Sequence, residues 1–308
     1  MVLIFNQKDP IPWQQALQKS LPNTKVEIYS PATNPDTVSF AVCWKPQPLL
    51  LKQFPNLQIV QSAGAGVDHI TRTQQLDPDK ITLSRIVDPH LSNDMWEYLL
   101  SIVLSQLKNT AVYTLANQHR QWTPLPYKRL QDMTISIMGL GNIGKHVASQ
   151  FAALGARVKG WSNSPKELPQ VDTYAGEAAL SSFLKHTDIL INILPLTSKT
   201  ENILRKEILS QLNKEAYLIN VGRGEHLVEQ DLITLVESKH LSGATLDVFR
   251  TEPLPDKHPF WTYDNIQITP HIASITNIHS CITQIVQNYQ LFRSQKTLLH
   301  TVSLQKEY

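Results

Sequence analysis

Only two of the 308 residues are cysteine, Cys43 and Cys281. They lie far apart and form no C-x-x-C pair, so the sequence offers neither a disulfide framework nor a thiolate metal site. A reducing cytoplasm is the expected compartment, and no metal is expected. Neither sign of charge dominates: 28 basic against 26 acidic side chains give a formal net charge of +2. No run of Lys and Arg would track a phosphate backbone, which argues against a nucleic acid partner. Long hydrophobic runs are also missing. The most apolar stretch, residues 99–104, is broken by Ser101 and falls short of the roughly 20 residues that a membrane-spanning helix needs. Residues 1–9 carry no basic leader and no small-residue cleavage site; interrupted by Asn6, Lys8 and Asp9, they read as a first strand. Internal repeats and low-complexity tracts are lacking as well.

What is present is the composition of a globular chain, 42% hydrophobic and 18% charged, at a length that predicts two domains sharing a cleft. The first third alternates short apolar runs at residues 2–5, 26–29, 40–44, 58–62 and 81–84 with polar stretches of helical pattern, which predicts a small α/β domain. From Ser92 an apolar helix begins, with Ser92, Asn93 and Asp94 as its expected N-cap region and Met95, Leu99, Val103 and Leu107 along it. A helix this apolar must be buried on more than one side, which places it at a domain junction or a subunit interface. Residues 118–129, with Trp122, Pro124 and Pro126, read as a connecting loop. Strand-like runs then recur at residues 134–138, 157–161, 189–194, 217–221, 244–247 and 266–269. Helical spacing at residues 145–154 and 228–238 completes the β-α alternation of a doubly wound parallel sheet.

The first of these strands runs into Gly139-Leu140-Gly141-Asn142-Ile143-Gly144, and a helical pattern follows. This is G-x-G-x-x-G in the setting that a dinucleotide requires. Gly139 permits the turn, Gly141 lets backbone approach a pyrophosphate, and Gly144 lets helix and strand pack closely. An NAD site usually carries Asp or Glu at the end of the second strand. Here that strand leads into Ser162, Asn163 and Lys166, which can all bond to a 2′-phosphate, so NADP is expected, with NAD as the alternative.

Ligands of open parallel sheets bind beyond the carboxyl ends of the strands, and three strands deliver charged groups there: Arg223, Asp247 with Glu252, and His271. Reduction of a 2-oxo acid calls for such a set. Imidazolium can protonate the developing alkoxide, a role that falls to His271. Glu252 is the carboxylate that would orient that ring and support its charged form. The planar fork of Arg223 suits a substrate carboxylate and the polarised carbonyl, and Asp247 could accept from the nicotinamide carboxamide.

With these residues in hand, the chain resembles the D-isomer-specific 2-hydroxyacid dehydrogenase family. Asn220-Val221-Gly222-Arg223-Gly224, Leu246-Asp247-Val248-Phe249 with Glu252-Pro253, and Thr269-Pro270-His271 match its arginine, acidic and histidine motifs. The resemblance implies a Rossmann-like cofactor domain over residues 100–278, inserted in a smaller flavodoxin-like α/β substrate domain made of residues 1–99 and 279–308. It also implies a homodimer built through the helix that starts near Ser92. Residues 62–68, SAGAGVD, resemble the family's substrate loop, where the N–H groups of Ala65 and Gly66 would hold the carboxylate; consecutive amides in a Gly-rich turn form an anion-binding nest.

Cys43-Trp44-Lys45-Pro46, the segment QWTPLP at 121–126, Trp161-Ser162 and Pro259-Phe260-Trp261 resemble the family's glyoxylate- and hydroxypyruvate-reducing branch, which implies that Trp44 lies near the substrate. That branch commonly has arginine where this chain has Asn163. With no regulatory domain after Tyr308, a long-type phosphoglycerate dehydrogenase is not expected. The alternatives left open are a dehydrogenase for a different or bulkier 2-hydroxy acid using NAD, a formate-type relative acting on a different substrate, and a non-catalytic nucleotide sensor resembling the corepressors of this fold.

Overall fold

The computed structural model describes residues 1–6 and 9–308; Lys8, read above as an interruption of the first strand, lies outside the described residues. The strands are β1 (Val2–Asn6), β2 (Val26–Ile28), β3 (Phe40–Trp44), β4 (Ile59–Ser62), β5 (Thr82–Ser84), β6 (Thr134–Met138), β7 (Arg157–Ser162), β8 (Val171–Ala175), β9 (Ile189–Asn192), β10 (Ala216–Asn220), β11 (Leu241–Leu246), β12 (Ile266–Ile268) and β13 (Thr301–Val302). By internal contacts the chain divides into two compact units, residues 1–90 with 276–308, and residues 91–275.

The first unit holds a six-stranded sheet in the order β13-β5-β4-β3-β1-β2. Its strands are parallel except for β13, which runs antiparallel to β5. Leaving out that edge strand, the order is that of a flavodoxin-like sheet. Both faces are covered, so β3, with the sequence FAVCW, reads as a continuous apolar run rather than an alternating one. Leu3, Ala41, Cys43, Val60 and Leu83 pack on one face with Leu50, Phe54 and Ile70. On the other face Phe40 meets Tyr289 edge to face at 5.5 Å, from the helix Ile278–Arg293, whose first turn is capped by the Asn277 side chain.

The second unit is a seven-stranded sheet, all parallel, in the order β12-β11-β10-β9-β6-β7-β8. The chain starts in the middle at β6, winds outward through β7 and β8, then returns to β9 and winds the other way. That reversal puts a topological switch point between the carboxyl ends of β6 and β9, where doubly wound sheets bind their ligands. Successive residues of the inner strands serve opposite cores: Ile135, Ile137, Ile189 and Ile191 pack with Met95, Leu99, Val147 and Phe151. Met138, Leu190 and Leu218 pack instead with Phe183, Leu209, Leu232 and Phe260.

The apolar helix begins at Pro89, one turn before the expected start, and runs to Leu107. Asp88 accepts from the His90 N–H at 3.0 Å ahead of a proline suited to a first helical turn, so the N-cap work expected of Ser92 to Asp94 is done upstream. The division between the units falls at 90/91, ahead of the 99/100 boundary read from sequence, because Met95, Leu99, Val103 and Leu107 belong to the second unit's core. The following helix, Thr110–Gln118, buries none of its residues. Exposed apolar side chains occur at Leu104 in the long helix, at Val112 and Leu115 in this one, and beyond it at Trp122 and Tyr127. Among the described residues no helix is long and apolar enough to cross a membrane.

Candidate active site

The glycine-rich segment lies at the switch point. Gly139 has φ of +114° and sits so close to the loop after β9 that a Cβ there would lie 2.9 Å from the Ile193 carbonyl, so only glycine fits. A Cβ on Gly144 would lie 1.8 Å from the Gly139 carbonyl oxygen, which is how the helix Asn142–Ala153 comes down onto the turn. Gly141 differs: it caps that helix at an ordinary φ of −73°, and a Cβ built on it meets no protein atom within 4 Å. The first N–H groups of a helix have no intrahelical partner, and here neither a side-chain cap nor an acidic residue in the first turn competes for them. An open space over exposed Gly141, faced by oriented N–H groups including those of Asn142 and Ile143, fits a pyrophosphate. The residues present therefore fit a dinucleotide.

At the end of β7, Ser162 is buried and its hydroxyl donates to the Ser164 carbonyl at 2.8 Å. Asn163 is exposed and Lys166 half-buried. The short loop thus carries two amphoteric or neutral side chains and one cation, and a 2′-phosphate at this strand end would meet no carboxylate from residues 162–166.

Arg223 follows β10 in extended backbone, at φ of −141°. Its guanidinium Nη1 donates to the Gly222 carbonyl at 2.7 Å. Gly224 leaves no room for a side chain, since a Cβ would lie 1.9 Å from the Phe249 backbone, so the arginine loop lies directly on the loop after β11.

His271 follows β12 through Thr269 and Pro270. Its Nδ1 stands 3.0 and 3.1 Å from the two carboxylate oxygens of Glu252. A carboxylate only accepts, so Nδ1 carries the proton and Nε2 is left as the working atom. The side chains remain 35% and 25% exposed, so the imidazole is accessible. His271 itself has φ of +56°, a left-handed conformation that costs energy unless its surroundings enforce it.

Asp247, 1% exposed at the end of β11, supplies that enforcement. Its Oδ1 accepts from the Thr269 hydroxyl at 2.6 Å and the Ile272 N–H at 2.9 Å, and its Oδ2 from the Ala273 N–H at 2.9 Å. The Tyr98 hydroxyl bonds to Thr269 at 2.7 Å. Burial pushes the Tyr98 phenol up to about 12, with the Asp247 charge acting in the same direction.

Arg223, Glu252 and His271 thus come together on one edge of the second sheet. Their parent strands β10, β11 and β12 are consecutive neighbours, which sets the outer two ends about 10 Å apart. In the first unit the segment after β4 turns back on itself: the Ser62 hydroxyl donates to the Gly66 carbonyl at 2.8 Å and accepts from the Gly64 N–H at 3.3 Å. Ala65 and Gly66 are half-buried at the head of the turn. The Trp44 indole lies over Gly64, so near that a Cβ would come within 2.6 Å of it, and against the His69 ring at 4.6 Å.

Sequence reasoning missed the buried polar groups behind Arg223, namely Asn192, Asn220 in its supporting role, and His226. A signal was available: β9 and β10 are apolar strands that each end in asparagine, a residue poorly suited to a sheet interior.

The family model for the NAD binding domain of D-isomer specific 2-hydroxyacid dehydrogenases matches residues 100–273. Among curated relatives, the glyoxylate/hydroxypyruvate reductase A of Serratia proteamaculans is 38% identical over 289 residues, 92% of each chain. That of Yersinia enterocolitica is 36% identical over 301 residues, 96% of each. Among solved structures, a D-isomer specific 2-hydroxyacid dehydrogenase from Xanthobacter autotrophicus Py2, in complex with NADPH and MES, superposes with a TM-score of 0.93 at 32% identity, covering 100% of this chain and 99% of that one. An NADPH-dependent glyoxylate/hydroxypyruvate reductase from Sinorhizobium meliloti, in complex with NADP and sulfate, has a TM-score of 0.92 at 32% identity with the same coverage.

Proposed function

The chain belongs to the D-isomer specific 2-hydroxyacid dehydrogenase family, and from that premise we propose that it reduces glyoxylate and hydroxypyruvate with NADPH. The observation that carries the reading is the His271–Glu252 pair, with Nδ1 held against both carboxylate oxygens at the same sheet edge as Arg223. The substrate class is supported by the names of the relatives at 36–38% identity and by NADP in the complexed neighbours.

When bound, the nicotinamide cofactor supplies the hydride. The residues that would hold it are Gly139, Gly141, Asn142, Ile143 and Gly144 at the pyrophosphate, and Ser162, Asn163 and Lys166 at the 2′-phosphate. Asp247 keeps spare acceptor capacity on Oδ2 for a carboxamide N–H, since that oxygen has two lone pairs and, among the described residues, accepts from Ala273 alone.

The chain's own residues do the rest. Arg223 binds the substrate carboxylate and draws electron density from the carbonyl oxygen. His271, protonated on both nitrogens, gives its Nε2 proton to that oxygen as negative charge develops, and Nδ1–H stays on Glu252, which fixes the ring throughout. Asp247 keeps the turn that aims His271. On the first unit, the Ala65 and Gly66 N–H groups suit a carboxylate, and Trp44, braced by Gly64 and His69, shapes the apolar surface beside that turn. A second copy of the chain is the partner we assign to the long helix, expected to start near Ser92 and running from Pro89 to Leu107, along which Leu104 is exposed; light scattering on eluted protein is expected to give a dimer's mass, and a monomer's mass would overturn it. Two buried, free cysteines suit the reducing cytoplasm.

Oxidation of NADPH and of NADH against a panel of 2-oxo acids tests the central reading. Glyoxylate and hydroxypyruvate with NADPH are expected to give the highest kcat/KM; preference for a bulkier 2-oxo acid or for NADH would overturn it.

A further inference from the structure

Behind Arg223 lies a polar network with no access to solvent. Strands β9 and β10 pair in register at Asn192 and Asn220, and both asparagines and His226 are 0% exposed. Asn192 Nδ2 donates to Asn220 Oδ1 and to His226 Nδ1, each at 2.9 Å. Asn220 Oδ1 also accepts from the Gly222 N–H at 3.2 Å, while its Nδ2 donates to the Arg223 carbonyl at 3.0 Å. His226 Nδ1 takes the Arg223 N–H at 3.1 Å, and His226 Nε2 reaches the Pro195 carbonyl at 3.2 Å. Gly222 leaves the gap through which these groups approach, since a Cβ there would lie 2.8 Å from Asn192 Nδ2 and 2.9 Å from His226 Nδ1.

These partners determine the state of the ring. The Arg223 N–H can only donate, so Nδ1 is bare; the Pro195 carbonyl can only accept, so Nε2 carries the proton. The imidazole is the neutral Nε2–H tautomer. Through Nδ1 it grips the arginine loop, and through Nε2 it ties that loop to the one that follows β9 beside the glycine turn. Because Arg223 is held at both its N–H and its carbonyl, the start of its side chain is fixed before any substrate arrives, which is what carboxylate binding with carbonyl polarisation requires. An apolar residue would fill the space at 226 but leave the Arg223 N–H and one Asn192 N–H unpaired in the interior.

We propose that His226 is a positioning residue for the reaction, acting on the 2-oxo acid through Arg223; this rests on the reading of Arg223 as the carboxylate anchor. The test is a double-mutant cycle of His226→Val and Arg223→Ala, read as kcat, KM for glyoxylate and the NADPH dissociation constant. His226→Val is expected to lower kcat/KM roughly 100-fold, mostly through the KM for glyoxylate, with NADPH affinity changed less than about threefold. His226→Gln, which keeps an acceptor and a donor, is expected to recover part of the loss. In the Arg223→Ala background His226→Val should change kcat/KM by less than about threefold.

An equal loss in both backgrounds would overturn the proposal alone, since His226 would then act independently of Arg223. Unchanged turnover in Arg223→Ala by itself would remove the anchor reading, and the proposal with it. A measurement on the unmodified enzyme covers the case in which His226→Val does not fold: nitrogen-15 correlation spectra of the labelled histidines should show a buried ring protonated on Nε2 only. A proton on Nδ1 of His226 would overturn the assignment.

Discussion

Two glycines of the same turn should respond to alanine in opposite ways. At Gly141 the backbone has an ordinary φ of −73° and a Cβ meets no protein atom within 4 Å, so Gly141→Ala should change folding stability by no more than about 0.5 kcal/mol. At Gly144 the Cβ would lie 1.8 Å from the Gly139 carbonyl oxygen, backbone that cannot swing aside. Gly144→Ala should therefore cost about 1–3 kcal/mol or more as the helix is forced off the turn. If a pyrophosphate fills the space over Gly141, the methyl group that the protein tolerates collides with the ligand. An overpacking cost of about 1–3 kcal/mol then weakens NADPH about 5- to 150-fold. Urea unfolding gives the first quantity and fluorescence titration of NADPH the second. Gly141→Ala with normal stability and normal NADPH affinity would refute the placement of the cofactor, because the open space would then be vacant in the working enzyme.

Ser162→Asp puts a negative charge where the 2′-phosphate is expected and should weaken NADPH roughly tenfold or more while affecting NADH less; equal effects on the two cofactors would count against NADP selection at this strand end. Glu252→Gln keeps an acceptor for His271 Nδ1 but exchanges a charge-assisted bond for a neutral one, a loss of about 1–2 kcal/mol. In stopped-flow turnover that is about 5- to 30-fold in kcat with an unchanged NADPH dissociation constant; an unaltered kcat would remove Glu252 from the mechanism. Tyr98 links pH to stability. Burial raises its phenol from 10.0 to about 12, so the folded state holds the proton more tightly than the unfolded chain does. Its contribution is complete below pH 10 and is lost as pH climbs through about 12. Tyr98→Phe should flatten the alkaline fall in stability over that window, and an identical fall in both proteins would contradict the assignment.

The strands that position chemistry were legible because each is buried on both faces and so appears as a short apolar run: residues 134–138 coincide with β6, and the other inner strands differ by a few residues at their ends. The edge strand β8, with sequence VDTYA, escaped notice because Asp172 and Thr173 break the run. The helix Thr110–Gln118 escaped because it buries none of its residues and so carries no core stripe to read.

Within the site, charged residues at strand ends were visible by type and place. The groups that hold them were not. Asp247 was visible as a strand-end carboxylate, but its second role, accepting from Thr269, Ile272 and Ala273 to hold the turn before and after His271, depends on donors that only the fold brings around it. His226, one of eleven histidines, is singled out by one near partner, the Arg223 N–H, together with two distant in sequence, Asn192 and Pro195. No local pattern encodes a tautomer.

The proposed reaction turns on His271 delivering the proton while hydride transfer proceeds. His271→Ala, assayed for kcat with glyoxylate and NADPH alongside a direct NADPH titration, addresses it most directly. A fall in kcat of about 100-fold or more with NADPH affinity unchanged is expected, and a kcat within about threefold of the unmodified enzyme would take the proton-donor role away from His271.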